Sequence, residues 1–291
     1  MSDSILHITL ADGMVRGLLL TATETVREAA KLHQTSAVAT AALGRSLMSA
    51  SMLAATLKEP NASVTLTIDG DGPLGKIICI GERESVRGCL THPSVSLPLR
   101  ADGKLDVGGA VGRHGRMSVV KDLRLKSPYI GQIELVSGEL AQDLAYYFVQ
   151  SEQTPSLVSL GVIASDTEVS AAGGVLLQPM PGCPDAIIDA LELRAPIFGD
   201  VANELRYEPM ETLMDSWFDG LKPVVLERTP FAYRCHCSRE RMERALISLG
   251  PDELKRMIAD EVDGAELCCH FCNARYSFTT HDLLRLLNRI H

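Results

Sequence analysis

The residues best suited to chemistry are five cysteines near the C-terminus, which lie in two close clusters. The clusters read Cys235-His236-Cys237 and Cys268-Cys269-His270-Phe271-Cys272. A Cys-x-Cys pair and a Cys-x-x-Cys pair, separated by the 31 residues 238–268, can supply four thiolates to one tetrahedral Zn²⁺ ion. The spacing therefore predicts one zinc ion per reduced chain, with Cys235, Cys237, Cys269 and Cys272 as its ligands.

Two details of these clusters stay open. Pairing Cys268 with Cys272 would give Cys-x-x-x-Cys, so Cys269 is the better ligand and Cys268 is a neighbouring thiol of unknown role. His236 and His270 could replace a thiolate in principle, but they lie between the paired thiolates and we expect them to point outward. Four protein ligands close a zinc site, which leaves no open position at which the metal could activate a substrate.

The rest of the chain shows no motif of an enzyme active site. Gly70-Asp-Gly-Pro-Leu-Gly75 matches the dinucleotide-binding pattern, but Pro73 interrupts the loop and a strand pattern follows, so we expect a hairpin turn. The sequence has no phosphate-binding Gly-x-x-x-x-Gly-Lys-Ser/Thr motif, no Gly-x-Ser-x-Gly elbow and no His-Glu-x-x-His motif. Cys79, Cys89 and Cys183 stand alone, and Cys79 lies in an apolar run that is typical of a buried strand.

Composition and charge are typical of a soluble globular protein. Hydrophobic residues make up 46% and charged residues 22%, and the formal net charge of −9 argues against a nucleic-acid partner. Residues 231–291 contain nine basic and nine acidic side chains, so the cysteine region is not a basic finger. The N-terminus lacks a secretion signal, and the apolar helical segment 37–57 is interrupted by Gly44-Arg45. We therefore expect a cytoplasmic protein with no membrane partner, in which clustered cysteines bind metal or sense oxidants.

Residue patterns predict an α+β fold with antiparallel-rich sheets, followed by two smaller parts. In residues 1–180, strands outnumber helices and follow one another in adjacent runs, which favours an α+β core domain over a doubly wound one. Three prolines within residues 179–184 mark a boundary. We expect residues 181–230 to form a helical linker and residues 231–291 to form a small zinc-binding domain.

The linker pattern predicts short amphipathic helices over 186–193, 201–207 and 210–218. Acidic residues are plentiful between them, so this segment is too polar to make a core alone and must rest its apolar face on another surface. In the zinc-binding part, the sequence predicts helices over 239–249 and 252–260 and a strand over 275–278. A last helix should begin near Thr279, where Thr279-x-x-Asp282 resembles a capping box.

Four clustered thiolates admit several kinds of function. A purely structural zinc site, in a zinc-ribbon module that docks protein or nucleic acid, is the usual outcome for four cysteines. A redox switch is the alternative, because zinc-bound thiolates can meet peroxide or hypochlorite and pass through sulfenic acid to disulfide. Structural zinc contributes on the order of 10–16 kcal/mol of apparent binding energy to small folds, so its loss should unfold a tail of this size. A thiol oxidoreductase is a third class, although Cys269-His-Phe-Cys272 lacks the strand-then-helix context of thioredoxin-like motifs.

Several stretches resemble the heat-shock protein 33 family, the bacterial redox-regulated holdase chaperones. In the cysteine region they are Phe231-Ala-Tyr-Arg-Cys-His-Cys-Ser-Arg-Glu-Arg241, Ala245-Leu-Ile-Ser-Leu-Gly250 and Cys269-His-Phe-Cys-Asn-Ala-Arg-Tyr-Ser-Phe278. Upstream they are Thr35-Ser-Ala-Val-Ala-Thr-Ala-Ala-Leu-Gly-Arg45, Gly70-Asp-Gly-Pro-Leu-Gly75, Val119-Val-Lys-Asp122, Tyr146-Tyr-Phe-Val-Gln-Ser-Glu-Gln153 and Ala171-Ala-Gly-Gly174. The resemblance covers nearly the whole chain, and the combined motifs are specific.

The resemblance implies a chaperone that binds unfolding client proteins without ATP, and not an enzyme. It implies an N-terminal α+β domain, a metastable helical linker and a C-terminal domain whose four cysteines hold zinc in the reduced form. On oxidation the disulfides Cys235–Cys237 and Cys269–Cys272 would form, the metal would leave and the linker would unfold. Homodimerisation would accompany activation, and thiol-reducing systems would reverse it. Cys268, beside an expected ligand, departs from the family's pattern and could offer an alternative disulfide.

Overall fold

The computed structural model describes residues 2–260 and 264–289. They form two compact units, Met1–Arg234 and Cys235–His291. The first unit combines helices with two largely antiparallel sheets, so the predicted α+β class is confirmed. The functional division into core domain, linker and zinc domain stays a prediction, and residues 181–230 of the predicted linker lie within the first compact unit.

A five-stranded antiparallel sheet forms one layer of the first unit. Its strands are β1 (Ser4–Leu10), β2 (Val15–Thr21), β8 (Leu157–Ala164), β9 (Val169–Pro179) and β10 (Val224–Pro230), in the spatial order β10-β1-β2-β9-β8. β1 and β2 form an N-terminal hairpin whose turn has left-handed backbone at Ala11 and Asp12. The prediction of a helical linker over residues 181–230 is wrong for its last part. Residues 224–230 form the edge strand β10, which pairs with β1.

A six-stranded sheet forms the other layer. Its strands are β3 (Ser63–Gly70), β4 (Lys76–Gly81), β5 (Ser85–Leu90), β6 (Gly115–Asp122), β7 (Tyr129–Glu134) and β11 (Ala232–Tyr233), in the spatial order β11-β5-β4-β3-β6-β7. Every pairing is antiparallel except that of β11 with β5. The glycine motif is the predicted hairpin turn between β3 and β4. A Cβ at Gly72 would lie 2.3 Å from the carbonyl oxygen of Ala110, so close backbone approach explains the glycine.

The two sheets enclose a long helix. The helices before the linker are α1 (Thr23–His33), α2 (Ala37–Ala55), α3 (Val107–Val111) and α4 (Leu140–Glu152). α2 contacts strands of both sheets and is buried on nearly all sides, as its small apolar residues require. Its length and hydropathy would suit a membrane span, but 89% of the apolar stretch is buried inside the fold, so it serves as a core helix. Gly81 permits the close approach of β4, because a Cβ there would lie 2.4 Å from the Ala50 carbonyl oxygen.

Three short helices cover the outer face of the five-stranded sheet. They are α5 (Asp185–Phe198), α6 (Val201–Glu204) and α7 (Met210–Trp217), and we call residues 185–218 the helical connector. Its buried residues Leu191, Phe198, Val201, Met210, Leu213, Met214, Trp217 and Phe218 form one cluster with Leu6, Ile8, Leu10, Val15, Leu19, Val175 and Leu177 of the sheet. The expectation that the linker rests its apolar face on another surface is confirmed. Helices this short owe their stability to packing rather than to helix propensity.

The second unit is small. It contains α8 (Arg239–Ser248), α9 (Pro251–Asp260), β12 (Ala265–Cys268), β13 (Arg275–Phe278) and α10 (Thr280–Leu287). Its buried core among the described residues is Leu246, Leu254, Ala265, Phe278, Leu283 and Leu286. Thr279 and Asp282 form the predicted capping box at the start of α10. Because the apolar core is so slight, this unit needs another source of stability.

Candidate metal centre

Two short segments of the second unit carry the clustered cysteines. Cys235 and Cys237 directly precede α8, whose first turn is capped by the Ser238 hydroxyl accepting from the Arg241 N–H at 3.3 Å. Cys269 and Cys272 lie in the tight turn between the antiparallel strands β12 and β13. The two strands thus present one cysteine pair, and the entry to α8 presents the other.

Backbone hydrogen bonds shape the turn between β12 and β13. The Cys272 N–H donates to the Cys269 carbonyl at 3.3 Å, and the Asn273 N–H donates to the same oxygen at 2.8 Å. Asn273 adopts left-handed backbone with φ of 57°, a conformation that asparagine tolerates better than most residues. The Cys269 N–H donates to the Ala274 carbonyl at 2.9 Å and closes the turn. This geometry turns both cysteine side chains toward one point.

The four predicted ligands come together. The Sγ atoms of Cys235 and Cys269 are 3.6 Å apart, those of Cys237 and Cys272 are 3.3 Å apart, and all four lie within 4.8 Å of one another. Four sulfurs around a tetrahedral zinc ion with Zn–S bonds of about 2.3 Å would be separated by about 3.8 Å. None of the four cysteines is in a disulfide bond in this structure. The arrangement could therefore hold a metal ion, and an all-sulfur tetrahedral set is typical of zinc.

Cys268 lies outside this group. It ends β12 with an exposed side chain, whereas Cys269 beside it is buried. Within residues 2–260 and 264–289, the four-sulfur group is the one cluster of three or more histidine, cysteine or acidic side chains close enough to hold a metal ion. His236 and His270 are not part of it.

Cys235, Cys237 and Cys272 differ in their affinity for protons. Burial raises the pKa of Cys235 to about 11 and raises that of Cys272 further, with hydrogen bonds among the thiols adding to the effect. At Cys237 burial is outweighed by hydrogen bonds from Tyr276 and the neighbouring thiols, which lower its pKa to about 7. Protons and a metal ion therefore compete for these sulfurs. A divalent cation would compensate four thiolates and release those protons.

Two side chains that support the cluster were not predicted from the sequence. The Tyr276 hydroxyl on β13 donates to the Cys237 Sγ at 3.2 Å, and this bond raises the pKa of Tyr276 itself to about 12. Arg239 at the start of α8 donates to the Ser277 carbonyl at 2.8 Å and to Asp282 at 3.0 Å, and its guanidinium lies 4.4 Å from the Phe278 ring centroid. Both sets of contacts join the two cysteine-bearing segments, which are almost forty residues apart in sequence. Local sequence patterns therefore could not indicate them.

The fold and the site together define a class of protein. A large α+β unit carries a helical connector over one sheet, and a small unit carries a cluster of four thiols that could hold a metal ion. Comparison with known proteins shows which family has this arrangement. The sequence profile described as Hsp33 protein matches residues 3–279, and so the chain belongs to the Hsp33 family.

Individual relatives agree over essentially full length. The 33 kDa chaperonin of Acetivibrio thermocellus is 43% identical, with 100% of this chain and 98% of the relative covered. The 33 kDa chaperonin of Halalkalibacterium halodurans is also 43% identical, with 97% and 98% covered. The crystal structure of the 33 kDa chaperonin (heat shock protein 33 homolog) of Thermotoga maritima superimposes with a TM-score of 0.90 at 35% identity, covering 99% of each chain. The relatives are named as chaperones and not as enzymes.

Proposed function

We propose that the protein is a redox-regulated, ATP-independent holdase, which binds unfolding proteins after its clustered cysteines are oxidised. The observation that carries the proposal is the group of four sulfurs within 4.8 Å of one another in a unit with very little apolar core. The folded state of such a unit depends on the interaction that holds its cysteines together. Oxidation of the sulfurs would therefore be a switch on the fold of the unit.

In the reduced state, Cys235, Cys237, Cys269 and Cys272 would hold one Zn²⁺ ion. The all-sulfur set and its sulfur–sulfur distances support this assignment. The ion would supply cohesion, since structural zinc contributes on the order of 10–16 kcal/mol of apparent binding energy in small domains. The closed ligand set supports a structural role rather than catalysis.

In the oxidised state, the four cysteines would form the disulfides Cys235–Cys237 and Cys269–Cys272. A thiolate attacks one oxygen of hydrogen peroxide, the O–O bond breaks, and a sulfenic acid and a hydroxide result; the hydroxide takes a proton from solvent and becomes water. The second thiol of the pair then attacks the sulfenic sulfur and expels a second water. Four thiolates thus lose four electrons to two peroxides, which take up four protons from solvent and become four waters. Partners two or three residues apart stay neighbours even when the unit loses its fold, which supports this pairing.

Loss of the thiolates would remove the ligands that the ion needs, and the second unit would unfold. We infer that the helical connector is then released from the five-stranded sheet. The connector's short helices are held by apolar contacts with sheet residues such as Leu6, Ile8 and Leu19. Because helices of this length are marginal alone, loss of these contacts would also unfold them, which supports this step. The uncovered sheet face and the freed connector would offer apolar surface to unfolding proteins. The same surface would favour a homodimer on activation.

The proposed site of action is the cytoplasm, where thiols are kept reduced and clustered cysteines can serve as sensors. Thiol-reducing systems would return the disulfides to thiolates and allow the metal to rebind. The other function that four cysteines allow is a zinc-ribbon interaction module with a permanently structural metal. The two functions differ in one consequence, because only the holdase gains client binding when the metal leaves.

A single sample can test the proposal. The zinc-loaded protein is treated with peroxide and mild heat, and zinc release, free thiols and the aggregation of a thermally unfolding enzyme are followed together. We expect one zinc ion and four thiols to be lost per chain as aggregation becomes suppressed, with dithiothreitol reversing all three changes. If zinc and thiols are lost but aggregation proceeds unchanged, the protein is not a holdase.

A further inference from the structure

The last residues of the first unit form a short segment at an edge of the six-stranded sheet. We call Phe231–Tyr233 the edge segment. Ala232 lies opposite Ser85 and Tyr233 lies opposite Val86, in the sheet's one parallel pairing among the described residues. The Arg234 N–H donates to the Val86 carbonyl at 2.9 Å, which completes the contact with β5. The segment thus covers a strand edge that would otherwise be open.

Tyr233 extends this cover with its side chain. Its hydroxyl donates to the Gly88 carbonyl at 2.8 Å and accepts from the Gly88 N–H at 3.3 Å, and it lies 3.2 Å from the Nε2 atom of His33. One hydroxyl therefore satisfies both backbone groups of Gly88, as the next residue of a full strand would do. Removal of the edge segment would leave an unpaired donor and an unpaired acceptor on β5.

Phe231 anchors the other end. Its side chain is 4% exposed and belongs to the main core cluster, and its N–H donates to the Asp3 carbonyl at 3.2 Å. The edge segment therefore combines an aromatic residue in a pocket with backbone bonds to a strand edge. These are the two elements by which peptides add a strand to a sheet, one for specificity and the other for affinity.

The edge segment is also tied to the cysteine cluster by the chain itself. Cys235 is the second residue after Tyr233. While Cys235 is held in the four-sulfur group, the chain that leaves the edge segment continues directly into a folded unit, which limits its conformations. When the second unit unfolds, the edge segment must hold its position through the Phe231 side chain, the Tyr233 hydroxyl and its backbone bonds alone. An edge element of this length can open locally without unfolding the rest of the sheet.

We propose that the edge segment is an autoinhibitory strand, and that oxidation of the cysteines frees the β5 edge to bind an extended aromatic segment of an unfolding protein. This inference rests on the proposed holdase function and names a client-docking surface separate from the sheet face beneath the helical connector. The edge segment itself indicates the occupant, because it is an extended segment of the pattern aromatic-x-Tyr that pairs parallel to β5. We expect the client segment to share this pattern and orientation. Unfolding proteins expose such segments, because their aromatic residues leave the core.

Hydrogen exchange of residues 85–90 tests the release. In the reduced, zinc-loaded protein these amides should be protected, and peroxide with mild heat should make Val86 and Gly88 exchange faster. Tyr233→Phe removes the hydroxyl but keeps the ring, and it should speed Gly88 exchange about fivefold in the reduced protein, the change typical of one neutral hydrogen bond. Tyr146→Phe, at an exposed tyrosine of α4, is the matched control and should leave Gly88 unchanged.

A peptide tests the docking. The fluorescein-labelled heptapeptide Arg-Thr-Pro-Phe-Ala-Tyr-Arg, which copies residues 228–234, should bind the oxidised protein and not the reduced protein, as read by fluorescence anisotropy. Its binding should restore protection at Gly88, and a peptide with serine in place of both aromatic residues should bind at least tenfold more weakly. Phe231→Leu, a milder change than truncation, should let the reduced protein bind the peptide.

Two outcomes would overturn the inference. Residues 85–90 could stay protected after oxidation while the helical connector loses protection and client aggregation is suppressed, in which case the holdase stands and the edge segment is not part of it. Equal binding of the aromatic and serine peptides would also refute an aromatic docking site. If oxidation changes neither exchange nor aggregation, the proposed function itself fails together with this inference.

Discussion

The indole N–H of Trp217 donates a hydrogen bond to the carboxylate of Glu204 across 2.9 Å. It joins the last helix of the helical connector to the short α6, beside an aromatic group in which Trp217, Phe198 and Phe218 have ring centroids 5.8–6.3 Å apart. Trp217 is the chain's single tryptophan and is 1% exposed. Its fluorescence therefore reports directly on whether the connector is packed on the sheet.

The Glu204–Trp217 bond should set how readily the connector leaves the sheet. Glu204→Ala leaves the indole N–H without its partner, which should lower the stability of the connector by about 1.5–3 kcal/mol, as for a hydrogen bond to a charged group. Urea titration followed by Trp217 fluorescence measures the loss. Glu208→Ala removes an exposed carboxylate nearby and should have no such effect. Equal midpoints for both variants would contradict a role for the bond.

Metal stoichiometry should separate Cys268 from Cys269. Cys269→Ser removes one of the four clustered sulfurs and should reduce zinc content far below one ion per chain. Cys268→Ser changes an exposed thiol outside the cluster, so we expect one zinc ion per chain to be retained. Elemental analysis of the purified, reduced proteins decides. Loss of zinc in Cys268→Ser would mean that this cysteine is a ligand.

Tyr276 should strengthen metal binding without being a ligand. Its hydroxyl bonds to the Cys237 Sγ and helps to keep that sulfur ionised and oriented. Partners of metal ligands typically change affinity about 10–100-fold, so Tyr276→Phe should weaken zinc binding by roughly tenfold at unchanged stoichiometry. Competition with a chromogenic chelator measures the affinity. Tyr207→Phe, at an exposed tyrosine of the first unit, serves as control and should match wild type.

The contribution of Asp3 to stability should fall as pH rises. Its carboxylate accepts from the Glu24 and Thr25 N–H groups at the start of α1, at 3.3 and 2.6 Å, but burial dominates and raises its pKa above the ordinary value of 3.8. The folded state therefore holds this proton more tightly than the unfolded state. The resulting stability is fully present below pH 3.8 and is lost as pH rises through the higher folded-state pKa.

Asp3→Asn removes this titration and keeps an oxygen acceptor. The difference in unfolding free energy, wild type minus variant, should decrease from pH 3.5 to pH 7, as measured by urea unfolding across about four pH values. A difference that grows with pH would show that the hydrogen bonds to α1 outweigh burial and that the pKa is lowered instead.

Local sequence patterns were enough to predict those elements whose formation depends on neighbouring residues. The apolar segment that became α2, the glycine turn after β3 and the Thr279–Asp282 capping box depend on neighbouring residues, and each was found. The spacing of the cysteines likewise singled out the four sulfurs that come together.

Elements that exist only through distant pairing were missed. β10 has three exposed apolar residues in a row, Val224, Val225 and Leu226, and no alternation, because its pairing with β1 rather than its own pattern makes it a strand. β11 has two residues and depends on β5. The bond from Tyr276 to Cys237 spans 39 positions, so no local motif could indicate it. These features depend on residues that are close in the fold but distant in the sequence, so local patterns could not predict them.

The most direct test of the account follows Trp217 emission and zinc release together in one peroxide-treated sample under mild heat. We expect emission to shift to longer wavelength as zinc is lost, because oxidation of the cysteines frees the helical connector and brings the buried indole into water. Dithiothreitol with added zinc should restore the original spectrum. Complete zinc release and thiol oxidation with an unchanged emission spectrum would show that the cysteine cluster does not control the connector, and would contradict the account.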